Sequence, residues 1–310
     1  MFSNFNENLL GFKRKKYFRF IIFGIISVVI IIIIIVLAVC LSGGSDDKKD
    51  KRNEGEQEEQ EEISGSCPEI KYVSGGRSGS GFASRYWDCC KLSCSWTENA
   101  GSGNEAKQCD ASATKIITDY SAKSICDGGY ASACLSQIPF TINGCDNIGF
   151  AFAASPGEKS KDCGKCFLLE FTGAGKYETV KNHRELSNKK LIVMSSNIGY
   201  DVSSTQFDVM IPGGGVGNFN GCANILGTDL GQTYGGLLSD CENDIGWSLS
   251  EEEIYTKRKE CLKNKCNSKF SGKEQARKGC LFLANFLEAA GNPLHNFKEI
   301  ECPQILKDRY

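Results

Sequence analysis

The sequence predicts a mainly β domain: short strands closed into a barrel, long loops tied by disulfides, and a few short helices. Three observations carry this. Short strand-like runs recur between turn residues, at Thr114 to Tyr120, Cys166 to Phe171, Leu191 to Ser196 and Gln206 to Ile211. The connections between them are glycine-rich, as in closed β architectures. Of the 17 cysteines, all but Cys40 follow Ser66, an even number at a density that reads as a disulfide framework in an oxidising compartment.

The chain opens with a basic segment, residues 1–20, that carries Lys13, Arg14, Lys15, Lys16 and Arg19. Residues 21–41 follow without a charge. At about 1.5 Å per residue, a helix of that length spans a hydrocarbon core of roughly 30 Å. The positive flank keeps the N-terminus in the cytoplasm and sends the rest outside. A cleaved signal peptide is the alternative, but its apolar region is normally about 7–15 residues and ends in a small-residue cleavage site, which Ala38-Val39-Cys40 matches poorly. The sequence therefore predicts a signal-anchor, with the domain on the extracellular side in either case. Residues 42–66 are a linker. Glu54, Glu56, Glu58, Glu59, Glu61 and Glu62 leave it nothing to bury, so it is read as a disordered, charge-extended spacer.

Residues 67–310 form the remaining domain, about 245 residues, enough for one substantial core. Gly75 to Gly81 reads as a loop. Leu191-Ile192-Val193-Met194 reads as a buried strand. Ser250-Glu251-Glu252-Glu253 is a capping box ahead of a charged helix to about Asn264, and Cys280 to Leu287 is an apolar run suited to a buried helix. The formal net charge of −2 gives no footing for a nucleic-acid partner. A metal centre is not predicted either. Only Cys163-Gly164-Lys165-Cys166 has C-x-x-C spacing, and His183 and His295, the only histidines, stand apart from it. No cofactor is expected.

Two stretches carry the chemistry. In Ser84-Arg85-Tyr86-Trp87-Asp88-Cys89-Cys90-Lys91-Leu92-Ser93-Cys94-Ser95-Trp96, one carboxylate stands among aromatic faces on which a sugar can stack, and three cysteines tie it down. In Gln206-Phe207-Asp208-Val209-Met210-Ile211-Pro212-Gly213-Gly214-Gly215-Val216-Gly217, a second carboxylate precedes a glycine run that lacks the Lys-Ser/Thr of a phosphate loop. Two carboxyl groups are what glycosidic cleavage needs: one protonates the leaving oxygen and the other activates water or attacks the anomeric carbon. The blander reading makes Trp87 and Trp96 core residues and Asp88 a cap.

Together the two stretches resemble the signatures of glycoside hydrolase family 45, the small fungal and protist endoglucanases, over roughly Gly76 to Pro303. The resemblance implies a six-stranded double-psi β-barrel and endo-acting hydrolysis of β-1,4-glucan with inversion. It makes Asp88 the general base and Asp208 the general acid. Asp201 matches a third family carboxylate that raises the acid's pKa or shapes a closing loop. Tyr86 and Trp96 become sugar-stacking residues, Trp87 either that or core, and Lys91 a position near the site. The partner is then a β-glucan, acted on by a monomer. The resemblance also implies the pairs Cys89–Cys222, Cys90–Cys126, Cys94–Cys163, Cys109–Cys134, Cys166–Cys302 and Cys241–Cys280. Elimination leaves Cys67–Cys145 and Cys261–Cys266. The competing function is a glucan-binding, wall-loosening protein like the expansins, which share the barrel and lack the base; the intact Tyr-Trp-Asp-Cys-Cys run favours an enzyme.

Overall fold

A computed structural model of the chain describes residues 66–199, 201–227, 229–245 and 248–310. The basic segment, the 21–41 anchor and nearly all of the linker lie outside the described residues. Among the described residues, no helix is long and apolar enough to cross a membrane.

Among the described residues there are nine strands: β1 Ser78–Tyr86, β2 Gln108–Cys109, β3 Ile116–Ile117, β4 Phe140–Thr141, β5 Ile148–Ser155, β6 Cys166–Gly175, β7 Lys190–Ile198, β8 Gln206–Met210 and β9 Pro293–Ile300. Six close into a ring in the order β5-β7-β6-β9-β1-β8, because β8 pairs with β1 on one side and with β5 on the other. The mixture of parallel pairs (β1 with β8, β5 with β7) and antiparallel ones is that of a double-psi barrel. β4 adds to the outer edge of β5, and β2 with β3 makes a separate two-strand ribbon.

The strands read as they do because most have no solvent face. In β7, Leu191 through Ser196 are buried without alternation, and β5 is buried from Gly149 to Ser155. Phe167, Phe207 and Phe297 interlock inside the ring at centroid separations of 5.1–6.0 Å. β1 differs. It alternates through Ser84, Tyr86 and Asp88 on the half-buried side and Ala83, Arg85 and Trp87 on the buried side. Its start, read as a loop, is strand because its glycines fill crowded positions. A Cβ at Gly81 would lie 1.8 Å from the Thr205 carbonyl oxygen, and one at Gly79 would press on the Phe297 ring.

Three helices pack as a group: α1 Gly236–Asp244, α2 Glu251–Lys269 and α3 Glu274–Asn285. The capping box is present, with Glu253 N–H donating to Ser250 Oγ at 3.4 Å and Ser250 N–H to Glu253 Oε2 at 3.0 Å. The helix it starts runs to Lys269, so the helical part is larger than a few short segments.

Among the described residues eight disulfides are formed. Cys67–Cys145 and five of the family pairs are as anticipated. Two are not: the bridges are Cys241–Cys261 and Cys266–Cys280, in place of 241–280 and 261–266. Helix geometry explains the correction. Cys261 and Cys266 are five residues apart on α2, about 140° around the helix, so they point to different neighbours. One faces α1 and the other α3, which binds α2 to both.

Candidate active site

The site is built where the barrel closes. The parallel register sets Ser84 opposite Asp208, and the antiparallel one sets Ala154 opposite Asp208, so Asp208 sits between two strands at the seam. Period-two alternation then puts Ser84, Tyr86 and Asp88 on the face that carries Gln206 and Asp208. Two signatures 120 residues apart thus meet on adjacent strands. Asp88, Tyr86, Asp201 and Asp208 line one cavity of about 520 Å³, together with Ser84 and Asn197.

Each carboxylate is held differently. Asp88 lies just past the end of β1, where Cys89 takes the left-handed conformation, φ 60°, against the usual preference of a side-chain-bearing residue. The Cys89–Cys222 bridge holds that turn. It lets the Cys90 N–H donate back to Asp88 Oδ1 at 2.9 Å and fixes the carboxylate. Asp208 is gripped by a chain of donors: Gln206 Nε2 donates to Ser84 Oγ at 2.7 Å, and Ser84 Oγ–H donates to Asp208 Oδ1 at 2.7 Å. The glycine run brings the backbone against β1. Trp87 N–H donates to the Gly215 carbonyl at 2.7 Å, and a Cβ at Gly214 would lie 2.9 Å from Tyr86 N.

Burial raises the Asp88 pKa to about 6, opposed by the Cys90 N–H and reinforced by the charge of Asp201. Burial raises Asp208 further, to about 7; Ser84 and Arg85 pull it down, while Asp201 and Asp88 push it up. Asp201 is exposed at the cavity edge and acts on both groups. The Tyr86 phenol is pushed well above its usual range by burial and by all three carboxylates, so it stays a neutral hydroxyl among them.

One of the anticipated substrate contacts is placed otherwise, while Lys91 borders a cavity beside Asp88 and Trp96. Trp87 is 1% exposed and packs in the core, since it alternates to the opposite side of β1 from Tyr86 and Asp88. Lys91 is buried. Its ammonium donates to the Tyr120 and Ala122 carbonyls at 2.6 and 3.0 Å and stands 3.4 Å over the Trp96 ring, so it props Trp96. Desolvation lowers the Lys91 pKa to about 8. Trp96 is half-buried and lines a second cavity of about 340 Å³, which shares Asp88, Asn197 and Phe219 with the first. The two cavities meet at Asp88.

Three lining residues carry no signal in the sequence. Tyr177, Phe219 and Tyr234 are isolated in loops, yet they are 75%, 57% and 67% exposed, and all three border the larger cavity. Tyr234 is held by its hydroxyl, which donates to Asn218 Oδ1 at 2.7 Å. Exposed aromatic faces around a cleft with buried carboxylates are the layout of a sugar-binding groove.

Residues 80–310 match the family described as Glycosyl hydrolase family 45. The chain belongs to that family. It is similar to "Endoglucanase B" of Cellvibrio japonicus (strain Ueda107), 40% identical over 237 residues, which cover 74% of this chain and 44% of that protein. It is similar to "Endoglucanase" of Cryptopygus antarcticus, 34% identical over 247 residues covering 77% and 92%, and to "Endoglucanase" of Phaedon cochleariae, 32% identical over 244 residues covering 76% and 85%. The chain thus spans less than half of the Cellvibrio protein and most of the other two. The crystal structure of the Antarctic springtail cellulase superposes with a TM-score of 0.58 at 34% identity, covering 75% of this chain and 96% of that one. Relatives drawn from these organisms do not single out the fungal and protist type that the sequence suggested.

Proposed function

We propose that this chain is an endo-acting β-1,4-glucanase that hydrolyses with inversion, with Asp88 as general base and Asp208 as general acid. One observation carries the reading: two carboxyls on one face of the barrel seam, both lifted towards neutrality, share a cavity bordered by exposed aromatics.

The pKa order assigns the roles. Between about pH 6 and pH 7 the dominant form has Asp88 ionised and Asp208 protonated. Because Ser84 donates to Asp208 Oδ1, the acid's proton belongs on Oδ2, free to pass to the glycosidic oxygen. Asp88 takes a proton from a water as that water attacks the anomeric carbon from the opposite face. Tyr86, neutral between them, donates a hydrogen bond to the sugar or to the water. Asp201 keeps the acid protonated by its charge. Asp88 stands four positions after Ser84, the residue opposite Asp208, so about 13 Å of extended chain lies between the two registers. Inversion requires the two carboxyls about 6.5–9.5 Å apart, and retention about 5 Å.

The substrate is a β-glucan that crosses both cavities, with Trp96 and Tyr86 stacking on its rings and Tyr177, Phe219 and Tyr234 along its course. The enzyme works as a monomer outside the cell, tethered through residues 21–41, a setting in keeping with its disulfides. Incubation with a soluble β-glucan tests the activity. An endo-glucanase drops the viscosity well before many reducing ends appear. A non-catalytic glucan-binding protein releases none, and that result would end the enzyme reading.

A further inference from the structure

Among the described residues, the larger cavity holds two cations, Arg85 and Lys176, with very different surroundings. Arg85 is buried and committed: it donates to the Gly235 carbonyl and to Ser239 Oγ, each at 2.9 Å, and lies 3.6 Å from Glu242. Lys176 is exposed and pairs with no carboxylate among the described residues. Its ammonium is held in place all the same. It sits 3.5 Å over the Phe82 ring and 5.1 Å from the centroid of Tyr177.

The loop that carries it is pinned on both sides. Lys176 N–H donates to the Asn292 carbonyl at 3.0 Å, just before β9, and β6 ends at Gly175 opposite Pro293. Glu178, the carboxylate two residues on, is spent on the buried Arg258 of α2, with Arg258 Nη2 at 3.3 Å from its Oε2, so it does not neutralise Lys176. Three hydrogen-bond donors on an aromatic seat, beside a tyrosine that is 75% exposed, fit a sugar ring that bears a negative group.

We infer that Lys176 and Tyr177 form a subsite for an anionic sugar unit, a glucan residue that carries a carboxylate substituent or a carboxylate at its end. The inference rests on the glucanase reading for the cavity's ligand but not on catalysis. Tyr177 stacks on the ring, and Lys176 pairs with the carboxylate.

The test uses the full-length chain and two soluble probes of equal length, a carboxymethylated β-1,4-glucan oligosaccharide and its neutral hydroxyethylated counterpart. Calorimetric binding is read first and kinetics second. The wild type should bind the carboxymethylated probe more tightly, and raised salt should erase the advantage. Lys176→Met should cost about two- to fivefold in affinity and in KM for the charged probe, leave kcat alone, and leave the neutral probe within error. Lys176→Arg should restore the preference, which a merely structural role for Lys176 would not predict. Tyr177→Ala should weaken both probes equally. Equal affinity of the wild type for the two probes, or equal losses on both in Lys176→Met, would overturn the subsite. A chain that binds both probes with the stated preference but cleaves neither would instead overturn the glucanase reading and keep the subsite.

Discussion

Replacing Ser84 by alanine should move one limb of the pH–activity profile and leave the other in place. The Ser84 hydroxyl donates to Asp208 Oδ1 at 2.7 Å, which stabilises the ionised carboxylate and holds the Asp208 pKa below the level that burial alone would impose. A hydrogen bond to a charged group is worth about 1.5–3 kcal/mol net. Water entering the space left by the hydroxyl recovers part of this, leaving about 1.4 kcal/mol, or one pKa unit. Asp208 should then titrate near pH 8 where it now titrates at about 7. An acid acts only while protonated, so the alkaline limb of kcat/KM should move up by about one unit. The acid limb belongs to Asp88, at about 6, and should not move. The assay is kcat/KM on a soluble β-glucan from about pH 4.5 to pH 9 at constant ionic strength. An alkaline limb that stays put would show that Ser84 does not tune the acid. A shift of the acid limb instead would mean that Asp208 has the lower pKa of the pair, against the order that assigns it as the acid.

Asp88→Asn should lose hydrolysis by about 10²–10⁴-fold and still bind oligosaccharide by calorimetry, because the amide keeps the shape and cannot take a proton. Peptide mapping of the unreduced protein should recover Cys241 linked to Cys261 and Cys266 linked to Cys280; a 261–266 loop would contradict the helix packing. His295 is 1% exposed among Phe207 and Phe297, and burial lowers its pKa to about 4. A depressed folded-state value favours the neutral ring, so its contribution is intact above about pH 6.5 and is lost as pH falls towards 4, about 3 kcal/mol in all. Thermal unfolding followed over that range should show a flatter acid decline in His295→Phe than in the wild type; parallel curves would remove His295 as the cause.

What could be read from the sequence follows from where side chains repeat. β7 was legible because both of its faces are buried, which writes an unbroken apolar run. β8 was legible because Asp208 and the glycine run form a pattern. The start of β1 was not, since Gly79 and Gly81 look like loop residues until the Phe297 ring and the Thr205 carbonyl press on them. β5 and β9 carry no turn-bounded motif and emerge only from their pairing. At the site, Asp88, Asp208 and Tyr86 were legible through the two signatures and Asp201 through the family resemblance, and the four meet in one cavity. Trp87 shows the limit of proximity in sequence, since the residue between two cavity-facing side chains of a strand faces the other way. Lys91 reached the neighbourhood but serves Trp96. Tyr177, Phe219 and Tyr234 had no neighbours to mark them, and only the fold brings them to the cleft. The misassigned cysteines failed for a related reason: five residues are near in sequence but point about 140° apart around a helix.

The most direct test of the account is the anomeric configuration of the first product. Proton NMR of a β-1,4-glucan digest, recorded within minutes and before mutarotation, distinguishes the two outcomes. A water activated by Asp88 opposite an acid at Asp208 yields the α-anomer first. A β-anomer appearing first would require a covalent intermediate and a closer carboxyl pair, and would contradict the assignment of Asp88 as base.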